Sequence, residues 1–389
     1  MNENPTAAEE QYELGRSYYH GKGGVPQDTG KAVFWFTKAA EQGHLGAQYN
    51  LGVSYANGLG VSKNMGEAVR WYAKAAEQGH TAAQYNLGLC YDNGWGVSQN
   101  EKEAIHWFIK AAEQGDSDAQ YNVGVCYGNG LNGLSKNIEE AVRWFAKAAE
   151  QGHPQAKQNL GVCCCNLGVY YMNAQENQKA FDWFTKAAEQ GNAMAQYNLG
   201  LCYSDGSLGV KKDLEKAVHW LEKAEKQGDQ KAKQNLGISC HNLGLHYKNG
   251  LEDVKQDFEK AVHYFIKAAE LGVVNSMYHL ARCYARGEGV EENEEETMRW
   301  YEKAAELGDA DSMYMLGIRY NGLFNTSTPK DPKKAKEWFE KAAKQGHEEA
   351  KKTLATFAKE GVPQEDPEKA IYWYAKFYKS RRARHRKRL

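Results

Sequence analysis

Ala47-Gln48-Tyr49-Asn50-Leu51-Gly52 decides the fold, because the same six residues return at Ala83–Gly88 and Ala195–Gly200, and at Ala119–Gly124 with Val123 for Leu. A second block, Lys-Ala-Ala-Glu-Gln-Gly, starts at Lys38, Lys74, Lys110, Lys147 and Lys186. Self-similarity at a period of about 36 residues is the mark of stacked supersecondary units. Such an array predicts an extended binding surface before it predicts a compact enzyme.

Each unit reads as two helices. In the first, helix A, Ala47, Leu51 and Tyr55 lie four apart and share one face. Asn57-Gly58 ends it, Gly being the usual left-handed stop. A short loop follows, and its Val61 is expected to plug the gap between the helices. In helix B, Ala68, Trp71, Tyr72, Ala75 and Ala76 form a stripe at helical spacing, and Gly79 stops it. Asp116, Asn192, Asp229 and Asp309 stand where an N-cap of the next helix A is needed. The small residues Gly52, Ala75 and Ala76 let the helices approach, while Trp71 and Tyr72 fill the space. The aromatic anchor of helix B recurs at Trp35, Trp71, Trp107, Trp144, Trp183, Trp220, Tyr264, Trp300, Trp338 and Trp373, which predicts ten helical pairs.

On these residues the chain resembles the Sel-1-like repeat family, a relative of the tetratricopeptide repeat. Ala83–Gly88, Asn93–Val97 and Ala104–Ala112 match its helix A, loop and helix B patterns. The match runs over roughly residues 7–378. The resemblance implies an all-α fold, a right-handed α-solenoid of about ten antiparallel helix pairs, used as an adaptor or scaffold for partner proteins. It implies no general catalytic activity and no cofactor. The expected organisation is a continuous solenoid over 1–378 and a basic tail over 379–389.

Two repeats depart from the pattern. Asn159-Leu160-Gly161 is followed seven residues later by Asn166-Leu167-Gly168, and Asn235-Leu236-Gly237 by Asn242-Leu243-Gly244. Seven residues are about two helical turns, so both helices A are expected to be two turns longer and to protrude. The accounts that fit are a tolerated insertion, and a functional protrusion or homodimer contact.

In tetratricopeptide-like arrays helix A lines the concave face. Asn50 and Ser54 would sit there one turn apart, as would Asn86 and Cys90, Asn122 and Cys126, Asn159 and Cys163, and Asn198 and Cys202; Asn235 continues the column. Asn offers a donor and an acceptor, as a peptide backbone does, and matches a position that carries a peptide-binding Asn in some tetratricopeptide domains. The competing reading is that each Asn ties helix A to a neighbouring turn; both roles can coexist. Gly46, Ala82, Asp118, Gln155, Met194 and Lys231, one turn before each Asn, would set specificity.

The eight cysteines lack metal-ligand spacing, and Cys163-Cys164-Cys165 point in three directions round a helix; no metal site is expected. His106, His219 and His263 precede the anchor aromatics and are expected to be exposed. Gly21-Lys22-Gly23-Gly24 lacks the Ser or Thr of a phosphate loop. No nucleophile, base and orienting acid assemble, so an enzyme is not the expected class.

Residues 379–389 hold seven of the 49 Lys and Arg and none of the 50 Asp and Glu, which leaves the body acidic. The cations are Lys379, Arg381, Arg382, Arg384, Arg386, Lys387 and Arg388. Three readings fit: a polar cap on the array, a site for nucleic acid or acidic lipid, or a nuclear address. Glu288, Glu291, Glu292, Glu294, Glu295 and Glu296 form an acidic cluster, read as a solvated surface. No apolar run spans a membrane, and Met1–Thr6 lacks the regions of a signal peptide. Asn325-Thr326-Ser327 matches a glycosylation acceptor but means nothing without secretion. The expected compartment is the cytoplasm, with nuclear location or leaderless export as alternatives.

Overall fold

The computed structural model describes residues 6–251, 254–322 and 328–359. Regular structure among them is helical. The chain divides into two compact units, 1–195 and 196–389.

The first unit holds α1 (Ala8–His20) and α2 (Thr29–Glu41), α3 (Leu45–Asn57) and α4 (Met65–Glu77), and α5 (Thr81–Asn93) and α6 (Glu101–Glu113). It continues with α7 (Ser117–Asn129) and α8 (Ile138–Glu150), then α9 (Pro154–Asn173) and α10 (Asn177–Glu189). Odd numbers are helices A and even numbers helices B. The next helix A, α11 (Ala193–Asp205), starts before residue 196 and ends in the second unit. There follow α12 (Leu214–Glu225), α13 (Gln230–Asn249) and α14 (Phe258–Glu270), α15 (Val274–Tyr284) and α16 (Glu294–Glu306), and α17 (Ala310–Tyr320), α18 (Pro332–Lys344) and α19 (Glu348–Lys359). The tenth anchor Trp373, the basic tail from Lys379 to Arg388 and the motif Asn325-Thr326-Ser327 lie outside the described residues.

The stops and starts are those the sequence asks for. Gly58 takes φ 73° and its N–H donates to the Ser54 carbonyl, closing α3. Asn64 then accepts from the Glu67 N–H and opens α4. Asp116, Asn192, Asp229 and Asp309 each accept from a backbone N–H in the first turn of the following helix A. Val61 is half-buried and packs on the core beneath its loop.

The depth of the core sits one residue beyond the expected anchor. Phe36, Tyr72, Phe108, Phe145 and Phe184, each next to the Trp, are the deeply buried rings of the first unit, and Phe265, Tyr301 and Phe339 those of the second. Each such burial contributes about 1.5–3 kcal/mol. In the first unit each faces a helix-A glycine: a Cβ on Gly52 would lie 2.6 Å from Tyr72, and one on Gly88 2.7 Å from Phe108. The Trp itself turns its outer face to a lysine three residues on. Lys74 Nζ stands 4.3 Å from the Trp71 ring centre, and Lys147, Lys186 and Lys341 repeat the contact over Trp144, Trp183 and Trp338.

Both long helices have 20 residues where a regular helix A has 13. The expectation that they protrude is corrected, because both motif copies are packed. Gly168 faces Phe184, the regular contact, while a Cβ on Gly161 would lie 3.3 Å from Asn192 Cβ in the turn after α10. In α13, Gly244 faces Phe265 and Gly237 faces Val273. The duplication thus gives one helix two close contacts, one along its partner helix and one against the turn beyond it.

Candidate partner-binding face

Asn50, Asn86, Asn122, Asn159, Asn198 and Asn235 are all half-buried. Three are engaged with the preceding helix A. Asn235 Nδ2 donates to Tyr197 Oη at 3.5 Å, and Asn86 and Asn122 stand close enough to Tyr49 and Tyr85 to favour the ionised phenols. Burial raises the pKa of Tyr49 and Tyr85, and the asparagine opposes that rise. These three contacts join successive repeats, and all six asparagines stay half-buried.

The second half of the expected site is corrected. Ser54, Cys90, Cys126, Cys163 and Cys202 are buried, with Ser54 at 1% and Cys90 at 2% exposure, so none can touch a partner directly. Four residues advance about 400° round a helix, so each stands about 40° further than its Asn, enough to turn it into the core. Ser54 Oγ donates to the Asn50 carbonyl at 2.8 Å. Burial raises every one of these thiols, Cys90 and Cys126 to about 11. Cys163, Cys164 and Cys165 are buried in all three of their directions.

The apolar residue three beyond each Asn belongs to the face and carried no weight in the sequence. Val53, Leu89 and Val125 are half-buried there; Val162 on α9 is 44% exposed and Ile238 on α13 is 53% exposed. Of the positions one turn before Asn, Asp118, Gln155, Met194 and Lys231 are exposed. Asp118 is already used: its carboxylate lies 3.2 Å from His153 Nε2. Gly46 is glycine because Tyr12 covers it, with Oη 2.8 Å from a built Cβ.

Two devices between repeats escaped sequence reading. His44, His80, His153 and His347 cap helices A, each Nδ1 accepting a backbone N–H. Each ring also stacks on a tyrosine of the helix A before it, His80 on Tyr49 at 4.4 Å. The second device is a buried glutamine. Gln48, Gln84 and Gln120 each donate to a carbonyl of the preceding helix B and accept from the glutamine closing their own helix B. Invariance of both glutamines in the two repeated blocks was the available signal.

His106, His219 and His263 are exposed as expected. The acidic cluster is partly paired within its unit. Glu294 accepts from Arg319 and Thr328, Glu296 pairs with Arg299 at 2.9 Å, and Glu288 lies 3.5 Å from Lys248. Glu291, Glu292 and Glu295 face solvent. Among the described residues no helix is long and apolar enough to cross a membrane.

Comparison with known proteins agrees with the period. The family model of the Sel1 repeat matches ten times, at residues 11–44, 46–80, 81–116, 117–153, 154–192, 193–229, 237–273, 274–309, 310–347 and 358–380. No curated protein matches the chain. Among solved structures, a Sel1 repeat protein from Oxalobacter formigenes is 31% identical, with 78% of this chain and 84% of that one covered and a TM-score of 0.43. The protein c5321, a protective antigen of uropathogenic Escherichia coli with an SLR fold, is 29% identical over 96% of this chain and 92% of its own, with a TM-score of 0.40. Cysteine rich protein B of Helicobacter pylori is 30% identical over 36% of this chain and 95% of its own, with a TM-score of 0.25. With ten matched repeats tiling nearly all of its length, the chain belongs to the Sel1 repeat family.

Proposed function

We propose that the chain is a non-enzymatic adaptor that holds a peptide or helix of a partner protein along its helix-A face. Sel1 repeat proteins generally mediate protein–protein interaction. The observation that carries the reading is the repeated pair of a half-buried Asn and an apolar residue three places on, which reaches water at Val162 and Ile238. An amide that donates and accepts beside an apolar stripe suits a peptide whose backbone and side chains are held together. Asn50, Asn86, Asn122 and Asn159 serve this in the first unit, and Asn198 and Asn235 in the second. Gln155, Met194 and Lys231 vary at the edge of the face and select among partners.

A photo-reactive residue placed at Val162 tests this against one placed at His106, an exposed position on helix B. In cells the Val162 probe is expected to cross-link to a discrete partner and the His106 probe not. Cross-links from His106 alone would move the binding face to helix B and overturn the proposal.

A further inference from the structure

Helix α9 (Pro154–Asn173) leaves one side uncovered along its whole length. Gly161 and Gly168 fix its opposite side against the turn after α10 and against Phe184. On the uncovered side stand Asn159, Val162, Asn166, Val169 and Asn173, at alternating steps of three and four residues. Val162, Asn166 and Asn173 are exposed, and Asn159 and Val169 are half-buried. Steps of three and four are the spacing by which two helices pair along a seam. Tyr170 and Met172 beside the stripe are 63% and 42% exposed.

The stripe reads alike in both directions. Asn166 is its centre, with Asn159 seven residues before it and Asn173 seven after. Val162 stands four before the centre and Tyr170 four after. An antiparallel copy of the helix, related by a two-fold axis at Asn166, therefore sets amide against amide and apolar against apolar. Asn166 meets itself, Asn159 meets Asn173, and Val162 meets Tyr170. Each amide both donates and accepts, so each can satisfy its own copy. Among the described residues these three side-chain amides make no hydrogen bond of their own. The stripe spans about 21 Å of helix.

We propose that α9 pairs with α9 of a second copy of this chain, antiparallel about a two-fold axis at Asn166. The inference rests on the reading of helix A as the binding face and names its occupant at α9. Charge favours a copy here. The only charged residue of α9 is Lys157 in its first turn, so two copies meet without repulsion along the stripe, while an acidic or basic peptide finds no row of counter-charges. The other long helix, α13, repeats the pattern as Asn235, Ile238, Asn242, Leu245 and Asn249 but is unsuited to self-pairing. It exposes Lys231 and Lys233 with no acid on the same helix, and Asn235 is already spent on Tyr197 and the Lys231 carbonyl. A two-fold contact uses the same patch on both copies, so every pairing along the stripe is made twice except the one on the axis.

One helix face buries little surface, which puts the dimer in the weak class. Sedimentation velocity of the full chain from about 1 to 200 µM is expected to show monomer passing to dimer, with a dissociation constant on the order of 10 µM. Asn166→Asp and Asn166→Lys each set like charges on the axis and are expected to weaken the dimer by about tenfold or more. An equimolar mixture of the two variants is expected to recover it. Asn166 is exposed, so both variants should melt within about 1–2 °C of the wild type. Asn242→Asp, at the matching place in α13, is expected to leave the dimer unchanged. A chain that stays monomeric over the whole range, a dimer indifferent to both Asn166 variants, or a mixture no tighter than either variant alone would overturn the proposal. If the chain is monomeric while the Val162 probe captures a different protein, this inference fails and the helix-A reading stands. A dimer that depends on Asn166, with the Val162 probe linking only to a second copy, supports the inference and removes the foreign partner from that reading.

Discussion

Gln114 Nε2 donates to Gln84 Oε1 at 2.6 Å, and Gln84 Nε2 donates in turn to the Ala76 carbonyl at 3.1 Å. One buried amide thus joins helices α4, α5 and α6. Gln84→Ala leaves a buried carbonyl without its donor, which costs about 1–3 kcal/mol. Urea denaturation should show that loss, and Gln114→Ala, at an exposed position, should cost less.

Two glycines with the same left-handed backbone separate strain from contact. Gly79 has φ 91° with nothing within 4 Å of a built Cβ, so Gly79→Ala should cost only the backbone term of about 1–2 kcal/mol. Gly60 has φ 75° and would bring its Cβ to 2.1 Å from a fixed backbone oxygen. Gly60→Ala should therefore cost about 1–3 kcal/mol more than Gly79→Ala in the same denaturation experiment.

The eight cysteines are all buried and free. Burial raises their pKa values, to about 12 at Cys164 and Cys240. Since the thiolate is the reactive form, a disulfide reagent at pH 8 should find fewer than about one reactive thiol in the native chain. After denaturation it should find eight. Rapid native reaction at Cys90 or Cys126 would contradict the burial of that column.

His279 occupies the place that Asn holds in other repeats, and stacks on Phe265 at 5.3 Å. Burial, helped by Lys248, His241 and Arg282, lowers its pKa to about 4. The fold holds the neutral ring, so on acidification the unfolded chain takes up the proton first, near the ordinary value of about 6.5. The contribution is complete above that pH, is lost progressively toward pH 4, and changes no further below it. His80 and His241 are shifted the same way by burial. The melting temperature should fall between pH 7 and pH 5, and His279→Asn should flatten that fall.

Helix positions and lengths were legible because the signals are local. Gly58 and Asn64 mark a stop and a start within a few residues of the helices they bound, and the repeated Asn-Leu-Gly in α9 and α13 announces the two extra turns. What stayed hidden depends on partners far along the chain. Gln84 and Gln114 are 30 residues apart, and nothing near either names the other. His80 does not read as a cap from its own neighbours, because its bond uses Nδ1 while its ring stacks on Tyr49 in the preceding repeat. Trp71 and Tyr72 share the apolar stripe, and the close contact of Tyr72 with Gly52 lies in the helix opposite. The Asn and Cys columns look alike at one-turn spacing, yet a rotation of about 40° leaves Asn86 at the surface and buries Cys90.

The central claim is that partners are held on the helix-A face, and the most direct measurement is quantitative affinity capture with the full chain against a Val162→Glu, Ile238→Glu variant. Both residues are exposed, so the melting temperature should stay within about 1–2 °C of the wild type. The account predicts that the variant loses the partners recovered by the wild type while remaining folded. Recovery of the same partners in the same amounts by the folded variant would contradict it.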